Sequence, residues 1–241
     1  MNYGLGVSHS VQIHTAHPDR VVTMLFMSLT ILATTLFAQS PVKVLALGDS
    51  YTIGESVEAA DRWPFQLAKL LESQQIQCDT PDILAKTGWT TDELLSSIKD
   101  YKFQERYDLV TLLIGVNNQY RGRDVEQYRL ELRELIQIAI AKAGNEPDRV
   151  ILVSIPDWGV TPFAKGRDRG KIAGEIDAYN AVKKQEAEKA KVHYVDITDI
   201  TRDIDGEKAT LIANDGLHPA AKMYALWAER VLPIALAVLK K

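Results

Sequence analysis

Ser50 stands in Gly48-Asp49-Ser50-Tyr51-Thr52, just after the apolar run Val42 to Leu47. A glycine there lets the chain turn sharply, and the serine lands where a helix can begin, so free N–H groups face any anion formed beside it. That setting suits acyl transfer. The same residues also read as an ordinary helix cap, with Asp49 or Ser50 accepting from the backbone beyond. A serine hydroxyl ionises too weakly to act alone near neutral pH, so nucleophilic chemistry requires a base, most often histidine. Of the five histidines, His9, His14 and His17 lie in an N-terminal stretch unlike the rest, and His193 opens an apolar run where packing is expected. His218 remains, in Asp215-Gly216-Leu217-His218-Pro219, with Pro219 suited to the first turn of a following helix. From the same loop Asp215 can reach the imidazole, fix its tautomer and stabilise the imidazolium. An Asp three residues before a His equally makes a plain loop hydrogen bond.

Two further glycine turns carry groups that can donate without bearing charge. Asn117, in Gly115-Val116-Asn117-Asn118, can donate from its carboxamide to an oxyanion. Alternatively Asn117 and Asn118 accommodate a left-handed turn and cap the next helix. In Thr87-Gly88-Trp89-Thr90-Thr91, Gly88 can bring its backbone N–H close to a ligand, or the segment is a turn with Thr90 as N-cap. No convincing Cys/His/carboxylate cluster suggests a metal, and the chemistry outlined needs no cofactor.

These residues depend on the elements around them. From Pro41 onward, short β-branched apolar runs alternate with longer helical patterns, as in stacked βαβ units around a parallel sheet. Strands are expected at Val42–Leu47, more weakly at Ile83–Ala85, then at Leu109–Ile114, Val150–Ile155 and His193–Ile197. Helices are expected at Arg62–Glu72, Thr91–Lys99, Val125–Ala141, Gly170–Lys189 and Ala220–Leu239. Ligands of such sheets bind beyond the carboxyl ends of the strands, where the three turns fall.

The 241 residues, 46% of them hydrophobic, suffice for one substantial core, assigned here to residues 40–241. A net charge of −4 gives no general attraction to phosphate backbones, so nucleic acid is not an expected partner. The single cysteine, Cys78, has no partner for an internal disulfide, which excludes a disulfide scaffold. Residues 1–39 read as an export segment, because Val21 to Ala38 carries no charge. The run is long enough for a retained anchor, but a cleaved signal peptide and a periplasmic or secreted location are expected; a membrane partner follows only if the segment is retained. Met24 and Met27 inside it leave an alternative start open.

In order, Gly48-Asp49-Ser50, Gly88, Gly115-Val116-Asn117 and Asp215-Gly216-Leu217-His218-Pro219 resemble the blocks of the SGNH, or GDSL-like, hydrolases. The resemblance runs from Val42 to the last helix. It implies a flavodoxin-like α/β/α sandwich with a five-stranded parallel sheet and a serine esterase mechanism. It makes Ser50 the nucleophile, His218 the base and Asp215 its orienting carboxylate. The oxyanion hole is then the N–H of Ser50, the N–H of Gly88 and the Asn117 amide. No Gly-x-Ser-x-Gly elbow is present, against the ordinary α/β-hydrolase fold. Two positions depart from the pattern: Asn118 stands where many relatives have aspartate, and Tyr51 where an aliphatic residue usually follows the serine. Tyr51, Trp89, Tyr120 and Trp158 are candidate pocket residues, with Arg121 and Arg123 as basic groups nearby or as a solvated helix start. Family members act on acyl-sugars, lysophospholipids, thioesters and simple esters. A small-molecule or glycan ester is the expected substrate, with lysophospholipase or thioesterase activity as alternatives. A non-catalytic glycan-binding module on the same scaffold is the rival from another class, and a flavodoxin-like nucleotide binder fits poorly because Gly48 to Gly54 lacks the required glycine spacing.

Overall fold

The computed structural model describes residues 40–204 and 208–240; the expected export segment, residues 1–39, lies outside them. Strand β1 (Val44–Gly48) leads through helices α1 (Ser50–Ile53) and α2 (Trp63–Ser73) to β2 (Asp82–Ala85). Helix α3 (Thr91–Ile98) returns the chain to β3 (Leu109–Leu113), and α4 (Val116–Tyr120) with α5 (Val125–Lys142) carries it to β4 (Val150–Val153). Helix α6 (Arg169–Ala190) precedes β5 (His193–Val195), followed by α7 (Thr198–Arg202), α8 (Lys208–Leu211) and α9 (Ala221–Leu239).

All neighbouring strands run parallel, in the order β2-β1-β3-β4-β5. The chain steps outward from β1 to β2 and then crosses back past β1 to β3, so successive connections diverge at the β1/β3 boundary. That is the switch point at which such sheets open a crevice. Register sharpens the point: Gly48 pairs with Ala85 on one side and Leu113 on the other, so β1, β2 and β3 end level with one another. Their outgoing loops must therefore emerge side by side.

Strands β1, β3 and β4 are buried along their whole length, as near-continuous apolar runs require when helices cover both faces. Helices α2 and α9 pack together, while α5 packs with α3 and α6. Trp63, Trp227, Tyr224, Tyr107 and Tyr128 are fully buried. This is the expected flavodoxin-like three-layer sandwich.

The strands differ from expectation at their ends. β1 begins at Val44, and Val42 instead forms an isolated parallel bridge with Cys78. β4 stops before Ile155, whose N–H donates to Asn180 Oδ1 at 2.8 Å, and β5 stops before Ile197, whose N–H donates to Ser154 Oγ at 2.8 Å. In both places a side chain replaces the ladder partner. The short helices α1, α4, α7 and α8 show no periodicity in sequence, being about one turn each. No helix among the described residues is long and apolar enough to cross a membrane.

Candidate active site

The turn after β1 leaves no room for a side chain at Gly48, where a Cβ would lie 2.3 Å from the Leu113 carbonyl oxygen and 2.1 Å from Thr52 Oγ1. Asp49 then caps α1, its Oδ1 accepting from the Tyr51 N–H at 3.1 Å. The cap is thus Asp49, which frees Ser50 for other work. At the first position of α1, the Ser50 N–H has no intrahelical acceptor. Burial pushes the Asp49 carboxyl up to about 7, against opposing contributions from the Tyr51 N–H and the Lys183 ammonium.

Ser50 and His218 are 168 residues apart in sequence, yet Ser50 Oγ lies 2.9 Å from His218 Nε2. His218 Nδ1 lies 2.6 Å from Asp215 Oδ2. The loop carrying both is closed by a bridge between Ile212 and Pro219 and by the Ala213 N–H donating to the His218 carbonyl at 2.8 Å. Asp215 Oδ1 accepts from the backbone N–H groups of Leu217 and His218, both at 2.9 Å. Ser56 Oγ donates to Asp215 Oδ2 at 2.7 Å. Burial by itself raises the Asp215 carboxyl, but the hydrogen bonds from Ser56, the His218 ring and the two N–H groups outweigh it and hold the acid well below the usual carboxylate range. A permanent carboxylate on Nδ1 leaves Nε2 to accept the serine proton.

The remaining two glycine turns deliver donors to the same place. Gly88 has φ of +84°, and its carbonyl accepts from Arg121 Nη2 at 2.6 Å. With that oxygen held, the orientation of the peptide is set. Asn117 Nδ2 donates to the Trp89 carbonyl at 3.0 Å, which fixes the carboxamide while leaving its second hydrogen available. The left-handed-turn alternative for Asn117 and Asn118 is not realised, because Gly115 takes the positive φ and both asparagines are helical in α4. Asn118 is buried; its Oδ1 accepts from the Thr91 N–H at 3.1 Å and its Nδ2 donates to Thr91 Oγ1 at 2.6 Å. Thr90 caps α3 in a reciprocal arrangement with Glu93.

Ser50, Gly88, Asn117 and His218 line one cavity of about 160 Å³. Tyr51, Tyr120 and Trp158 line it too, whereas Trp89 does not: its side chain packs against the core and only its carbonyl serves Asn117. Tyr51 is buried with its ring 5.2 Å from that of His218. Neither Arg121 nor Arg123 reaches the cavity, since they pair with Glu93 at 3.2 Å and Asp92 at 2.9 Å. His193 sits elsewhere, 2.9 Å from Asp148. Sequence reading missed Phe163, which completes an aromatic rim with ring centroids 6.2 Å from Tyr120 and 6.0 Å from Trp158. It also missed Ser56, Thr87, Val116 and Leu217. Only Ser56 carried a signal, as a hydroxyl soon after the nucleophile turn. Among the described residues no group of three or more His, Cys, Asp or Glu converges as for a metal ion.

No curated protein sequence matches the chain significantly. Among solved structures, TesA superposes with a TM-score of 0.64 at 21% identity, over 82% of this chain and 99% of that one. An acetylxylan esterase from Geobacillus stearothermophilus gives 0.61 at 20% identity over 80% and 94% of the two chains. The esterase EstA from Pseudoalteromonas sp. gives 0.59 at 19% identity over 83% and 100%. These likenesses establish a shared fold. The sequence profile of the GDSL-like lipase/acylhydrolase family matches residues 46–226, a span that begins in β1, includes Ser50, Gly88, Asn117, Asp215 and His218, and ends in α9. The chain belongs to the GDSL-like lipase/acylhydrolase family.

Proposed function

We propose that the protein is a serine esterase that works through an acyl-Ser50 intermediate on acylated carbohydrates or small esters. Family membership makes it a hydrolase of carboxylic esters. The observation that carries the mechanism is the unbroken relay from Asp215 through His218 to Ser50, at 2.6 and 2.9 Å, opening on the cavity that Gly88 and Asn117 also line. Ser50 Oγ attacks the ester carbonyl as His218 Nε2 takes its proton, and the N–H groups of Ser50 and Gly88 with the Asn117 amide receive the developing oxyanion. Collapse breaks the bond to the alcohol oxygen, which leaves with the proton from His218. Water then attacks the acyl-Ser50 carbonyl, gives its proton to His218, and the acid departs as Ser50 recovers that proton.

A cavity of about 160 Å³ is smaller than the ~300–1,000 Å³ of pockets that enclose drug-sized ligands, which favours a short acyl group. The aromatic rim of Tyr120, Trp158 and Phe163 offers stacking faces for a sugar, and one structural neighbour is an acetylxylan esterase. A binding module has no use for a complete proton relay. An exported location through residues 1–39 is part of the same proposal. Hydrolysis of p-nitrophenyl acetate, butyrate and octanoate, with Ser50→Ala in parallel, tests it: activity is expected on the shorter esters and lost in the variant. Equal rates in both proteins would remove Ser50 from the mechanism.

A further inference from the structure

The aromatic rim is not bare. The guanidinium of Arg167 lies 5.3 Å from the ring centroids of both Tyr120 and Trp158 and 5.5 Å from that of Phe163. All three rings line the cavity that holds Ser50 and His218. Arg167 is exposed, yet its position is determined on several sides. Its own N–H donates to the Ala164 carbonyl at 3.0 Å, the Phe163 N–H donates to the Gly216 carbonyl at 2.9 Å, and Trp158 Nε1 donates to Gln119 Oε1 at 2.7 Å. The rim is thereby tied to the loop that carries Asp215 and His218.

Charge sets Arg167 apart from the other arginines near the site. Arg121 and Arg123 each contact a carboxylate, whereas among the described residues no carboxylate comes within ion-pair distance of Arg167. A guanidinium has five N–H donors, and here one of them is directed at Tyr120 Oη, at 3.3 Å. Among the described residues Tyr120 Oη is the one hydrogen-bond acceptor of the Arg167 side chain, so the exposed group, lying over rings that line the cavity, keeps further donors of the kind that match a carboxylate or phosphate. The surrounding loop reads Lys165-Gly166-Arg167-Asp168-Arg169, and its acid is already engaged, Asp168 Oδ1 capping α6 by accepting from the Lys171 N–H at 3.0 Å. On a chain of net charge −4, a cationic lip beside the pocket is a local departure from the average. An enzyme for neutral esters alone gains nothing from a cation braced against the rings at that lip.

We propose that Arg167, lying over the rim of Tyr120, Trp158 and Phe163, is a specificity-determining residue that selects esters bearing an anionic group, a carboxylate or a phosphate, outside the scissile carbonyl. The proposal rests on the esterase reading and names the substrate chemistry of that same site. The guanidinium edge binds the anion while the rings carry the group to which it is attached. The ester carbonyl then meets Ser50.

The test uses three acetyl esters that share one acyl group: 4-acetoxybenzamide, 4-acetoxybenzoate and 4-acetoxyphenyl phosphate. Values of kcat/KM are measured for the wild type, Arg167→Gln and Arg167→Lys, with circular dichroism and Tm to verify folding. Comparing ratios between proteins cancels the intrinsic reactivity of each ester. A solvent-exposed, charge-assisted contact predicts that the anionic-to-neutral ratio falls about three- to tenfold in Arg167→Gln and is partly restored in Arg167→Lys. A larger response with the phosphate or with the carboxylate identifies which anion the site prefers, and either supports the assignment. A ratio that does not change, or a loss shared equally by all three esters, overturns it, because Arg167 then only braces the rim. If the wild type hydrolyses none of the three while remaining folded, the esterase reading itself fails and this proposal with it.

Discussion

At the scale of single residues, the candidate site holds its side chains in place by hydrogen bonds to neighbouring loops. Asn117 shows this most directly, with one amide hydrogen held by the Trp89 carbonyl. In the proposed mechanism Asn117 is an oxyanion donor, and loss of one such donor typically costs about 10²–10³ in rate, so Asn117→Ala is expected to lower kcat by about that factor with little change in Tm, measured on p-nitrophenyl acetate. Ser56 is a subtler case. It holds φ of +66° without being glycine and donates to Asp215 Oδ2. Both Ser56→Ala and Ser56→Gly remove that hydrogen bond and are expected to reduce kcat/KM by about three- to tenfold, a partial loss because three other donors still hold the carboxylate. The glycine variant is expected to be about 1 kcal/mol more stable than the alanine variant, since only glycine relieves the left-handed backbone. Two variants with wild-type kinetics would show that Ser56 is incidental to the relay. Ser50, Asp215 and His218 were legible in sequence because each sits in a short turn with a local signature. For Ser56 the sequence offered only a hydroxyl soon after the nucleophile turn, because its partner is 159 residues away.

At the scale of elements, the proposed oxyanion donors are held by links between loops. Asn118 joins the start of α4 to the start of α3 through both atoms of its carboxamide, and Thr91 Oγ1 in turn donates to Glu131 on α5. The sequence marked Asn118 as a departure from the family's usual aspartate; the structure shows an amide that must donate as well as accept. In Asn118→Asp the Thr91 hydroxyl, having one hydrogen, faces two carboxylates. The expected cost is about 1–2 kcal/mol in stability, read by urea denaturation, together with a lower kcat as Asn117 loses its support. Unchanged stability would mean that the two carboxylates are separated by water. The strand interiors were predictable from apolar runs, and the errors fell where Asn180 and Ser154 replace ladder partners with side chains, contacts that no periodicity reports.

At the scale of the whole molecule, helices α5 and α6 are joined across the surface of the sandwich by Glu186, which is buried and bonded to Arg133 at 2.5 Å, Lys189 at 2.8 Å and Arg129 at 3.0 Å. Arg133 foremost, then Lys189 and Arg129, pull the Glu186 carboxyl down to about 2. A folded-state value below the unfolded one means that the contribution is fully present above the ordinary glutamate range and is lost as pH falls from there toward 2. Glu186→Gln is therefore expected to destabilise the protein by roughly 2 kcal/mol at pH 7, and by progressively less as the pH falls from about 4.5 toward 2. A difference in Tm that does not depend on pH would overturn this account. The sequence by itself determined the fold class and the family, and it marked Ser50, Gly88, Asn117, Asp215 and His218 as the candidate site, because turn chemistry and apolar runs are properties of neighbouring residues. Only the tertiary structure decided which aromatic groups face Ser50, that Trp89 does not, that Arg121 and Arg123 are already paired, and that Arg167 has no carboxylate partner among the described residues. Those facts depend on strand register and on loops meeting from distant parts of the chain, where a side chain's partners are set by packing and not by its neighbours in sequence.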